Sequence, residues 1–128
     1  MEFSSYQLYD LLNRPGPLWL AGADLRNADL RWADLKAANL RYADLRMANM
    51  YAADLGGANL KGARLGGANL SKADLGGTDL SGTALGMANL SGANLEKADL
   101  AGAKFTKYTK WPEGFDPLTA GAVLEKSW

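Results

Sequence analysis

Three aspartates, Asp34, Asp54 and Asp74, recur at intervals of twenty. A column of carboxylates could ligate a cation or imitate the phosphates of a nucleic acid. The same interval relates Asn49, Asn69 and Asn89, which suits an uncharged amide ladder of the kind stacked strands form. A third set is cationic and aromatic. Arg26, Arg31, Lys36, Arg41 and Arg46 stand five apart, Tyr51 follows in the same series, and Trp32 and Tyr42 each follow an arginine. Basic side chains interleaved with aromatics can grip a single strand or an acidic protein. Covalent and acid–base catalysis find no such support. The chain of 128 residues has no cysteine and no histidine, which removes thiolate nucleophiles, Cys/His zinc sites, imidazole bases and the usual catalytic triads. Ser71, Ser81 and Ser91 therefore lack a base to activate them. The sequence predicts no enzyme, no cofactor and no metal.

Each candidate also has a plainer structural reading. Asp and Asn side chains tie down neighbouring backbone amides in Asx turns, and like charges one rung apart cost only about 1 kcal/mol in water. Asp24, Asp29, Asp34 and Asp44 precede four of the five cations by two residues, so they should neutralise most of that field. The whole chain balances 14 basic against 14 acidic residues for a net charge of zero. Bulk attraction to nucleic acid or to an anionic membrane is therefore not expected. The first basic residue is Arg14, and the early apolar run Leu18-Trp19-Leu20-Ala21 is too short for a signal core or a membrane span. The expectation is a cytoplasmic monomer.

The elements that position these residues follow from an internal repeat. From Leu18 to Lys107 the chain divides into eighteen uninterrupted pentapeptides such as Ala23-Asp24-Leu25-Arg26-Asn27. The third position is Leu except at Met50 and Phe105, and the first is Ala except at Leu18, Thr78 and Thr83. On an α-helix a period of five would advance each leucine about 140° and scatter the leucines around the surface. In a continuous strand an odd period would send successive leucines to opposite faces. A short strand and a tight turn in every five residues resolves the conflict, with Ala and Leu inward and the Asp/Asn outward. Right-angled turns close four pentapeptides into a square coil. Leu25, Leu45, Leu65 and Leu85 then stack on one face, in a rod of about 4.5 coils and roughly 22 Å at ~4.8 Å per coil.

Tandem A(D/N)LXX units resemble the pentapeptide repeat family. Thr109-Lys110-Trp111-Pro112-Glu113-Gly114-Phe115-Asp116-Pro117 is similar to the tail that follows such repeats in cyanobacterial members. The resemblance implies an all-β fold, a right-handed quadrilateral β-helix. It also implies an alternative function, since some members look like B-form DNA and bind and protect DNA gyrase. Such mimicry needs a strong negative field along a long rod, and a short, neutral chain departs from that pattern.

Three segments are expected: an N-terminal helical cap at 1–17, the solenoid at 18–107 and a C-terminal cap at 108–128. Ser4 or Ser5 reads as the N-cap of a helix through Asn13, ended by Arg14-Pro15-Gly16-Pro17. Asp116-Pro117 reads as the start of a short helical turn reaching Ala122. Glycine at the fifth repeat position, as at Gly57, Gly62 and Gly67, predicts type II turns. Asn27, Trp32, Ala37, Tyr42, Met47 and Ala52 in that place predict type I turns in the early coils. The function expected is a non-catalytic interaction module, a rigid rod that docks an unidentified protein partner. Its candidate contacts are Arg31, Trp32, Tyr51, Arg41 and Tyr42, because interface hot spots favour Arg, Tyr and Trp. Arg31 and Tyr51 should share one corner, with Arg41 and Tyr42 across the rod.

Overall fold

The computed structural model describes residues 2–126. Its backbone is a four-sided coil in which each rung pairs in parallel with the rung twenty residues on, as in Asp24 with Asp44, Asp29 with Asn49 and Asp34 with Asp54. Four faces result, named here by their first outward residue. The Trp19 face continues through Asn39, Asn59, Asp79 and Asp99. The Asp24 face continues through Asp44, Arg64, Ala84 and Lys104, the Asp29 face through Asn49, Asn69 and Asn89, and the Asp34 face through Asp54, Asp74 and Asn94. Most rungs pair through a single residue, because only three residues separate one turn from the next.

A complete account of the backbone amides explains the repeat. In the unit 43–47, the Ala43 amide closes the preceding turn on the Leu40 carbonyl at 3.0 Å, and Asp44 donates down to Ala23 at 2.9 Å. Leu45 and Met47 donate up to Arg64 and Gly66 at 2.8 and 3.0 Å. The Arg46 amide points outward and finds no backbone acceptor. Asp44 Oδ1 accepts it at 3.2 Å. The same bond recurs fourteen times among the described residues, from Asp24–Arg26 to Asp99–Ala101. Asp or Asn is thus demanded at the second position by an otherwise unpaired donor, and the carboxylate columns have a structural origin.

The interior is filled by the third-position side chains. Leu40, Leu45, Met50, Leu55, Leu60, Leu65 and Leu70 are fully buried, with first-position alanines between them. Each such leucine contributes about 1.5–3 kcal/mol by leaving water. Thr78 and Thr83 replace alanine without leaving a bare hydroxyl, since their Oγ1 atoms donate to the Leu55 and Leu80 carbonyls at 2.8 Å.

The corner turns from Gly22 to Gly102 share one conformation, which corrects the expectation of type I turns in the early coils. Asn27, Trp32, Ala37, Tyr42, Met47 and Ala52 hold φ between 56° and 62°, close to the 65–67° of Gly57, Gly62, Gly67 and Gly77. A positive φ at this place is the signature of a type II turn. The ladder imposes it. The Trp32 amide must reach the Tyr51 carbonyl (3.0 Å) and the Ala37 amide that of Gly56 (2.9 Å), whatever side chain the residue carries.

The two ends differ. Helix α1, Ser5–Leu12, is opened by a capping box: Ser4 Oγ accepts from the Gln7 amide and Gln7 Oε1 from that of Ser4. Leu8 is buried, and Phe3, Leu11 and Leu12 pack on the core. Together they cover the first coil's leucines. At the other end one residue is inserted. Lys110 pairs above Asn89, twenty-one residues on, and Thr109 takes the alanine place with its hydroxyl donating to the Leu85 carbonyl at 2.9 Å. Trp111 then packs edge-on against Phe105 (5.4 Å) and stacks on Phe115 (5.3 Å). The expected turn reaching Ala122 is present as a single hydrogen-bonded turn, with the Ala120 amide on the Asp116 carbonyl at 3.3 Å and that of Ala122 on Pro117 at 3.0 Å, but it does not extend into a helix among the described residues. Asp116 opens the turn by accepting from the Leu118 and Thr119 amides, and the chain then returns to the solenoid. Strand β1, Lys104–Phe105, pairs in parallel with β2, Val123–Leu124, and that pairing ends the turn before it can propagate.

Candidate functional site

The coil register distributes the five candidate residues between two diagonally opposite corners. Arg31, Trp32 and Tyr51 share the corner between the Asp29 and Asp34 faces. The Trp32 ring meets that of Tyr51 edge-on, with centroids 5.3 Å apart. Arg41 and Tyr42 occupy the corner between the Trp19 and Asp24 faces, with the Arg41 guanidinium 5.7 Å from the Tyr42 ring centroid. Trp32 is 71% exposed and Tyr42 59%. Both sit at φ near 60°, a conformation that costs an L-residue about 1–2 kcal/mol. Neither recovers that cost by burial.

Charge separates the corners. Arg31 lies in a two-pronged ion pair with Asp29, with Nε to Oδ1 and Nη2 to Oδ2 both at 2.8 Å. That guanidinium holds the Asp29 carboxyl down at about 2. Arg26 and Arg46 pair in the same way with Asp24 and Asp44 and keep both carboxyls below the ordinary range. Lys36 bridges Asp34 and Asp54 at 3.8 and 3.7 Å. Arg41 follows Asn39 instead of an aspartate and has no ion pair among the described residues. The belt is therefore neutralised at every cation but one.

The register adds side chains that the reading of the belt alone missed. Lys61 lies one coil above Arg41 and likewise follows an asparagine, Asn59. Gly62 lies above Tyr42, and a Cβ there would fall 2.4 Å from the Tyr42 ring. The tyrosine therefore lies flat over a gap that only glycine leaves open. Tyr42, Lys61, Gly62, Ser81, Gly82 and Ala101 line one continuous depression. The signal for it was in the sequence: Arg41/Lys61 and Tyr42/Gly62 are each twenty apart. Among the described residues no cluster of three or more acidic side chains is placed to hold a metal ion.

A parallel four-sided solenoid that fixes its inward residues and frees its corners belongs to the class of repeat scaffolds, which present side chains in columns. The chain is a member of the pentapeptide repeat family: residues 20–50, 48–86 and 87–107 match Pentapeptide repeats in eight copies. Solved cyanobacterial relatives agree. The pentapeptide repeat protein alr5209 from Nostoc PCC 7120 is 41% identical over 94% of this chain and 93% of its own, with a TM-score of 0.57. Rfr23 from Cyanothece 51142 is 36% identical over 77% and 67% of the two chains, with a TM-score of 0.55. HetL from Nostoc PCC 7120, a protein involved in heterocyst differentiation regulation, is 39% identical over 70% of this chain and 40% of its own, with a TM-score of 0.56. No match was found among curated proteins.

Proposed function

We propose that this protein is a non-catalytic interaction module whose rigid solenoid docks a protein partner at the Tyr42 corner. One observation carries the choice of corner. Arg31 is held by Asp29, whereas Arg41 stands beside an asparagine and keeps its charge available. An interface gains more from a cation that need not first leave a partner of its own. The exposed Tyr42 beside Arg41 adds an aromatic contact to that cation, and tyrosine and arginine are enriched among the residues that dominate binding energy where surfaces meet. A regulatory role has a precedent in the similar HetL, itself involved in heterocyst differentiation regulation. In this reading the protein works as a monomer in the cytoplasm. The neutral charge total and the unpaired cations at this corner do not favour DNA mimicry. The test is partner capture from cells of the native host with Arg41→Glu and Arg31→Glu proteins compared separately. Capture should fall about tenfold or more with the first and less than about twofold with the second, one lost contact of 1.4 kcal/mol being worth tenfold. The reverse order would refute the assignment.

A further inference from the structure

The depression at the Tyr42 corner has a volume of about 440 Å3, and its charge differs from one end to the other. Lys61 lines its lower end, with Arg41 one coil below Lys61 and Arg64 two residues beyond Gly62 on the adjoining face, and none of the three has an ion pair among the described residues. The carboxylates around these cations are engaged: Asp44, one rung below Arg64, is paired with Arg46, and two more stand higher on the Trp19 face. Asp79 Oδ1 accepts from the Ser81 amide and hydroxyl at 2.9 and 2.6 Å, and Asp99 Oδ1 accepts from the Ala101 amide at 3.0 Å. The Ser81 hydroxyl, with smaller contributions from the Lys61 and Arg41 charges, holds the Asp79 carboxyl below its ordinary range. Three cations without ion pairs thus stand among carboxylates that are already bonded elsewhere.

We propose that this groove receives an extended acidic segment of a protein partner, an inference that rests on the docking role of the corner. The acidic side chains lie at the lower end, against Arg41 and Lys61, and the Tyr42 ring forms the wall beside them. Above it the floor is low, with only the small side chains of Ser81 and Ala101 beside Gly82, which has nothing within 4 Å of where a Cβ would stand. From Tyr42 to Ala101 is three rungs, about 14 Å, or roughly four residues of extended chain at ~3.3 Å each.

The backbone at this corner suits a peptide occupant. The amides of Tyr42, Gly62 and Gly82 donate to Lys61, Ser81 and Ala101 of the next rung at 2.9–3.0 Å. Their carbonyls accept no backbone bond among the described residues. Carbonyls left free in this way, as at the other corners of the repeat, suit the amide donors of an extended peptide, and a phosphodiester backbone has no such donors.

The test uses fluorescence anisotropy with three labelled probes: a short peptide of alternating glutamate and threonine, its lysine–threonine counterpart, and a short oligodeoxythymidine. The glutamate peptide should bind in preference to the other two. Arg41→Glu and Lys61→Glu should each weaken it about tenfold and Arg31→Glu less than about twofold. Ser81→Tyr, which fills the middle of the groove and alters no charge, should also weaken it, while thermal unfolding reports that each variant remains folded. Equal binding of the lysine peptide, or insensitivity to Arg41→Glu, would overturn the acidic occupant. Preference for the oligonucleotide would overturn it in favour of nucleic acid. A partner that crosslinks at position 42 while the glutamate peptide does not bind would leave the docking role standing and the acidic segment wrong.

Discussion

Replacing Ala37 with glycine should stabilise the protein, and replacing Gly77 with alanine should destabilise it by a similar amount. The two residues occupy one corner column, two coils apart, with φ of 56° and 65°. Left-handed backbone costs an L-residue about 1–2 kcal/mol. Glycine also loses more chain entropy on folding, about 0.4–1 kcal/mol, so the net gain for Ala37→Gly is roughly 0.5–1 kcal/mol. Ala37 is exposed, so little packing is lost. Gly77 has nothing within 4 Å of where a Cβ would stand, so Gly77→Ala adds strain without a clash and should lose a similar roughly 0.5–1 kcal/mol. Urea denaturation followed by circular dichroism can resolve midpoints that far apart when the slopes are equal. If both substitutions shift the midpoint in the same direction, or Ala37→Gly lowers it, the account of the corner turns is wrong.

Leu65→Ala, in the middle of the stack and fully buried, should cost about 2–5 kcal/mol through its cavity. Ser91→Ala, which leaves the backbone bond to Asn89 Oδ1 in place, should cost under about 0.5 kcal/mol in the same denaturation assay. The acid limb of stability follows from the lowered carboxyls of Asp24, Asp29, Asp44 and Asp79. A carboxyl depressed in the folded state stabilises fully above its unfolded value near 3.9, and this contribution is lost as pH falls through the folded value. The melting temperature should therefore hold steady from about pH 7 to 5 and fall between about pH 4 and 2. Asp29→Asn keeps a turn acceptor and removes the ion pair, so part of that fall should disappear in thermal scans.

The period and the inward residues were legible because burial leaves almost no choice at the first and third positions, as Ala63 and Leu65 illustrate. The twenty-residue register followed from the period, and with it the placing of Arg31 with Tyr51 and of Arg41 across the rod. Turn type was not legible at Trp32 or Ala37, because the bonds to the next coil fix φ against the preference of the residue. The C-terminal segment was legible as far as its one turn. Asp116 caps as its type suggests, but pairing of Val123 with Lys104 recaptures the chain after one turn. At the candidate site, the contrast between Asp29 and Asn39 was visible in the sequence. The groove emerges only when Tyr42 is laid over Gly62, a contact between residues twenty apart that composition does not suggest.

The most direct test of the docking role places a photo-crosslinking amino acid, p-benzoylphenylalanine, at position 42 in one protein and at position 32 in another, each produced in the native host. Both sites are exposed corners with the same backbone, so the label is open to solvent and to chance collisions at each. Irradiation should yield a discrete crosslinked protein from position 42, lost when Arg41→Glu is added, and none from position 32. A discrete product from position 32 alone, or the same product from both, would contradict the assignment of function to the Tyr42 corner.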